Sequence, residues 1–185
     1  MLIEKDKSSL IIIDVQEKLV SVMPKPHKFI DNIIKLQKAA NLLKVFVKLS
    51  EQYPKGLGAT IPKIREFQYQ PGADELYLTV EKTDFSIVAS GRANHINSAL
   101  RNVIICGIEA HVCVLQTAFE LADKKKKVYV VQDAISSRNE KDYLTALSRL
   151  DKHPNIQIVT CEMVLFEWLR SSDHPEFKNI SQLIK

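Results

Sequence analysis

"NVIICGIEAHVCVLQTAFELADKKKKVYVVQDAI", residues Asn102 to Ile135, decides the fold. "NVIICGI" is an apolar, β-branched run of strand length. "AHVCVLQTAFELADKK" has helical spacing, and "KVYVVQDAI" is apolar strand again. Working outward, the same alternation repeats. "SLIIID", Ser9 to Asp14, is almost wholly apolar, as a strand covered on both faces should be. "FIDNIIKLQKAANLL" puts Phe29, Ile33, Leu36, Ala40 and Leu43 at helical spacing, and "VFVKLS" follows as strand. "EQYPKGLGATIPK", with two prolines and two glycines, reads as a loop. "LYLTVEKTDFS" predicts a short strand ending near Lys82, and "ANHINSALR" a helix. "NEKDYLTALSRL" predicts a helix, "IQIV" a strand and "CEMVLFEWLRS" a last helix. The pattern predicts an α/β fold: a three-layer α/β/α sandwich on a mainly parallel sheet of about six strands. With no internal repeat or linker, residues 1–185 read as one domain.

The composition narrows the function. An apolar fraction of 45% and a charged fraction of 26% belong to an ordinary soluble globular chain. No apolar run reaches the ~20 residues of a membrane span. The N-terminal "MLIEKDKSS" lacks a signal-peptide core, so the expected location is cytoplasmic. A net charge of +4 is mild. The run Lys124 to Lys127 reads as the solvated last turn of a helix, where cations complement the partial negative charge. No aromatic residues interleave with it, so nucleic acid is not an expected partner.

Cys106, Cys113 and Cys161 form no C-x-x-C pair, which argues against a disulfide framework. Cys106, His111 and Cys113 hint at zinc. But Cys106 falls in a strand and Cys113 in the following helix, with no second ligand pair.

Ligands of open parallel sheets bind beyond the C-terminal strand ends. Three candidates stand at such ends. Asp14 closes the first strand, as a turn cap or a site residue. Lys82 ends "LTVEK", and taken alone reads as an exposed lysine. Cys113 opens the helix after "VIICGI", as a small hydrophobe or a nucleophile. Together they make a nucleophilic set. A helix N-terminus and a lysine are expected to lower a thiol's pKa, and a carboxylate can relay its proton. Gly107 allows a sharp turn, after which free N–H groups could bind an oxyanion.

"IIIDVQEKL", "VEKTDFS" and "VIICGIEAHVCVLQTA" resemble, in order and spacing, the three signature segments of the isochorismatase-like cysteine hydrolases. "SEQYPKGLG" and "VQDAISSR" are similar to the small isochorismatase-domain hydrolases within that superfamily. The resemblance implies Asp14 as general acid/base, Lys82 as electrostatic partner and Cys113 as nucleophile. It also implies an oxyanion hole from the backbone N–H groups of Glu109 and Cys113, and a cis Ile108–Glu109 peptide. In the nicotinamidase branch a metal is held by an Asp-x-His motif and further histidines. Here "KLSEQYPKGLG" has neither residue, and His27, His95, His111, His153 and His174 are scattered. No metal and no cofactor are therefore expected.

Vinyl ether hydrolysis, the isochorismatase reaction itself, does not need a thiol. Retention of Cys113 favours attack on the carbonyl of a small amide, carbamoyl or related C–N substrate, through a thioester. Gln16, Gln52, Tyr53, Phe85 and His111 flank the set and are the candidate substrate contacts. His111 reads equally well as a histidine satisfied by backbone, and Trp168 as core or subunit interface. The apolar helix faces and the tail "HPEFKNISQLIK" leave room for a homo-oligomer, a dimer or higher. Two rivals remain: a scaffold that kept the fold, and a redox-responsive cysteine protein.

Overall fold

The computed structural model describes residues 2–69, 77–93 and 100–185. Its six strands are β1 (Ser8–Ile13), β2 (Phe46–Gln52), β3 (Tyr77–Lys82), β4 (Asn102–Ile108), β5 (Lys127–Ser136) and β6 (Ile156–Val159). They form one sheet in the order β3-β2-β1-β4-β5-β6, and every neighbouring pair is parallel. The expected α/β sandwich is the one observed.

Alternation along the strands builds two cores. Leu10, Ile12, Ile104, Cys106, Tyr129 and Val131 face the helices Pro26–Leu43 and Cys161–Leu169. Ile11, Ile13, Val103, Ile105, Val128 and Val130 face the helices Leu115–Asp123 and Glu140–Leu150. Strands apolar on both faces follow from this double cover. Trp168 is core: it is 1% exposed, and its Nε1 donates to Ser8 Oγ at 3.2 Å. The tail also belongs to the chain's own core, through buried Ile180 with Phe177, Leu183 and Ile184 packed around it.

Several expected boundaries shift. The predicted loop after "VFVKLS" lends Glu51 and Gln52 to β2, which pairs with β3 as far as Gln52 opposite Lys82. The rest of that loop carries two helical turns, Pro54–Leu57 and Pro62–Arg65, each started by a proline. The helix after β4 opens with a π-type turn, Ala110–Val114, before Leu115–Asp123 continues it. The lysine run is not that helix's last turn. Lys124 follows its end, Lys125 turns left-handed at φ +61°, and Lys127 starts β5. The helix expected over "ANHINSALR", 93–101, lies for the most part on 94–99, outside the described residues. Among those residues no helix is long and apolar enough to cross a membrane.

Two features aim the sheet at the site. The chain fills the sheet outward from β1 in one direction through β2 and β3, then in the other through β4, β5 and β6. The ends of β1 and β4 therefore flank the topological switch point. Gly107 lies opposite Ile13 with φ +113°, where a Cβ would come within 2.1 Å of the Ile13 carbonyl oxygen. Only glycine lets the two strands close there. Rather than starting a sharp turn, it stays inside β4, at a register shift against β5.

Candidate active site

The site starts where β1 stops. Asp14 turns left-handed at φ +51°, a conformation Asp tolerates better than most residues. Its amide donates to the Ser50 carbonyl at 3.1 Å. Its carboxylate is fully buried. Oδ1 accepts from Ser50 Oγ at 2.6 Å and Oδ2 from Lys82 Nζ at 2.8 Å.

Lys82 is the last residue of β3 and reaches over the end of β2. Its ammonium meets three oxygens: Asp14 Oδ2, Gln52 Oε1 at 2.7 Å and the Phe85 carbonyl at 3.1 Å. An ammonium has three N–H donors, so each has an acceptor. Neither the Asp14 nor the Lys82 side chain is exposed, which makes this a buried ion pair held by further hydrogen bonds. The lysine that reads from sequence as exposed is 4% exposed, because β3 ends inside the site.

Cys113 comes from the π-type turn and is 6% exposed. Its thiol feels both the Asp14 carboxylate and the Lys82 ammonium. Burial pushes the thiol well above its ordinary value, the Asp14 carboxylate pushes the same way, and Lys82 opposes them. The lowering expected from sequence is thus reversed. The turn also diverts its own amides: Val112 and Val114, on either side of Cys113, both donate to the Glu109 carbonyl. The Ile108–Glu109 peptide is cis, as the resemblance implied.

The flanking residues divide into two groups. Gln16 and Gln52 are buried and committed to internal bonds. Gln16 Nε2 donates to the Gln52 and Gly58 carbonyls, and its Oε1 accepts from the Gln52 amide. Gln52 Nε2 donates to the Thr83 carbonyl at 2.6 Å. Tyr53 and Phe85, by contrast, are half-exposed rings. Tyr53 and Lys82 border a cleft of about 380 Å³ that also includes Thr83, Asp84, Ser90 and Arg92. His111 Nδ1 lies 3.0 Å from Ser137 Oγ, and Nε2 lies 3.9 Å from Asp142 Oδ2. Side chains, not backbone, satisfy that ring.

Sequence reasoning missed two participants. Ser50 ends "VFVKLS", and its place at a strand end was the available signal. The other is the Glu109 side chain, for which the sequence offers no signal beyond the expected role of its amide. That buried carboxylate accepts from the Arg138 amide at 3.1 Å and pairs with Arg138 Nε at 3.4 Å. With His111–Ser137, it ties the turn carrying Cys113 to the loop after β5. Among the described residues, no group of three or more His, Cys, Asp or Glu gathers to hold a metal ion.

This geometry can be set beside known proteins. The isochorismatase domain family matches residues 8–162. Isochorismatase domain-containing protein 2 of Bos taurus is 37% identical over 179 residues, 96% of this chain and 83% of that protein. A solved structure described as MAR1 ribonuclease from Caenorhabditis elegans has a TM-score of 0.91 at 35% identity, covering 100% of this chain and 92% of that one. The YcaC gene product of Escherichia coli, described as an octameric hydrolase of unknown specificity, shares the fold. Its TM-score is 0.82 at 22% identity, covering 98% of this chain and 95% of that one.

Proposed function

The chain belongs to the isochorismatase family, and from that premise we propose that it is a metal-independent cysteine hydrolase of a small amide, carbamoyl or related C–N substrate. One observation carries the reading: a buried Lys82–Asp14 pair at the ends of β3 and β1, with the Cys113 thiol beside both groups. Burial keeps the thiol protonated at rest, so the nucleophile has to be made during the reaction. Asp14 takes the Sγ proton as sulfur attacks the carbonyl carbon. The oxyanion forms against the amides of Glu109 and Cys113. The tetrahedral carbon then expels nitrogen, which leaves with the proton from Asp14, and a thioester remains. Water attacks that thioester while Asp14 accepts its proton. The C–S bond breaks, the acid departs, and the proton returns to sulfur. Lys82 supplies the fixed positive charge against which the proton moves.

A ribonuclease reading, raised by the name of the Caenorhabditis elegans structure, finds its densest cations at the wrong edge. Arg101 and Lys124 to Lys127 line a recess at the N-terminal ends of β4 and β5. At about 3.3 Å per residue, the length of β4 puts them on the order of 20 Å from Cys113. The protein acts in the cytosol in this reading, assembles as a homo-oligomer, and offers the exposed Tyr53 and Phe85 rings to substrate.

The test is a screen of small amides, carbamates, isochorismate and RNA, with Cys113→Ala as the blank. Ammonia or amine released by the native protein and absent from the blank is the expected result. Turnover that survives the substitution overturns covalent catalysis, and cleavage of RNA alone overturns the substrate class.

A further inference from the structure

We infer that Gln52 is a positioning residue that holds the Lys82 ammonium in place, rather than a substrate contact; the inference rests on the cysteine-hydrolase reading. Four hydrogen bonds carry it. Gln16 clasps the Gln52 backbone from both sides, accepting from its amide at 2.7 Å and donating to its carbonyl at 3.0 Å. That fixes the end of β2. The Gln52 carboxamide is then oriented by its own donor, Nε2 to the Thr83 carbonyl. With the nitrogen so engaged, the oxygen points at Lys82 Nζ, 2.7 Å away. The amide cannot flip without losing both bonds, since each end has a partner of the opposite kind. Lys82 is thereby shared between a charged acceptor, Asp14, and two neutral ones, Gln52 and the Phe85 carbonyl. A neutral acceptor anchors the ammonium without cancelling its charge, so the charge stays available to the Cys113 sulfur as it becomes a thiolate.

Gln52→Glu separates anchoring from charge. It keeps the shape and an acceptor but sets a second carboxylate against the ammonium, in competition with the thiolate. Gln52→Met removes the acceptor. The readout is the iodoacetamide alkylation rate of each cysteine between pH 7 and pH 9, resolved by peptide mass spectrometry. Gln52→Glu is expected to slow Cys113 at least tenfold and Gln52→Met about threefold, with Cys106 and Cys161 unchanged. A merely structural role loosens the fold, and all three thiols then label faster. That result, or Cys113 labelled at the native rate in both folded variants, overturns the inference. If neither variant folds, the native protein decides. A scalar coupling across the hydrogen bond, between Lys82 ¹⁵Nζ and the Gln52 carboxamide carbon, is expected, and its absence overturns the inference. Lys82→Ala separates the two levels. Unchanged Cys113 reactivity there removes the hydrolase reading itself, whereas a fall there with none in the Gln52 variants removes only the role of Gln52.

Discussion

Cys106 and Cys113 lie on one continuous segment, the first inside β4 and the second just past its end. Both are buried, and burial pushes both thiols up. Cys106 faces the core under the Pro26–Leu43 helix, with its sulfur 3.6 Å from the Ile11 carbonyl and Cys161 as an ionisable influence. Cys113 faces the opposite core and has Asp14 and Lys82 as neighbours. In the proposed reading, burial therefore does not separate a packing cysteine from a nucleophile here. The separation comes from a carboxylate that can take the proton and a cation that compensates the charge left behind.

Exchanging the two thiols in turn gives the sharpest contrast. Cys113→Ala is expected to lower turnover on the order of 10⁴-fold, as loss of a member of a catalytic triad does. Cys106→Ala should leave turnover within about threefold, because no catalytic group touches it. Equal losses in the two variants break the comparison. The next effect is on stability. Lys82→Met leaves the buried Asp14 carboxylate without its cation, a loss of about 3–5 kcal/mol on urea denaturation. A small change in that measurement means that Asp14 takes up a proton instead.

Gly107 stands between the two cysteines and tests the link between their settings. Gly107→Ala adds a Cβ against the Ile13 backbone at positive φ, and a loss of about 3 kcal/mol is expected. Since β1 and β4 then part, Cys113 labelling should change as well. The smallest effect is with pH. All three thiols lie above their ordinary value of 9.0 in the fold. Above that pH the unfolded chain loses thiol protons that the folded chain keeps, so the thiols' contribution to stability falls as pH rises and is untouched below it. The slope approaches about 1.4 kcal/mol per pH unit for each thiol. Cys106→Ala should flatten the decline in urea midpoint between pH 9 and pH 10 by roughly one thiol's share.

The sheet was legible because its strands are apolar on both faces and its helices are periodic. β6 and the helices after β5 fall where the pattern puts them. Strand ends were less legible. Glu51 and Gln52 look like loop, yet pairing with β3 extends β2 through them. Asp14, Lys82 and Cys113 could be picked out as candidates by their place at strand ends and by family resemblance, but the direction of the Cys113 thiol's shift could not. Whether a thiol is raised or lowered depends on how much water a π-type turn excludes, and no spacing encodes that. Gln16 and Gln52 make a related point. Alternation says which way a side chain points, but not whether the fold has already taken up its donors and acceptors.

Asp14 and Lys82 are 68 positions apart in the chain, and Cys113 comes later still. Their meeting requires β1 to be clasped between β2 and β4, a pairing of distant segments that cannot form until all of them have been made. During synthesis Cys113 is then an ordinary thiol. In the proposed reading its part in turnover begins only when Asp14 and Lys82 arrive beside it, so a half-made copy carries the thiol without the catalyst.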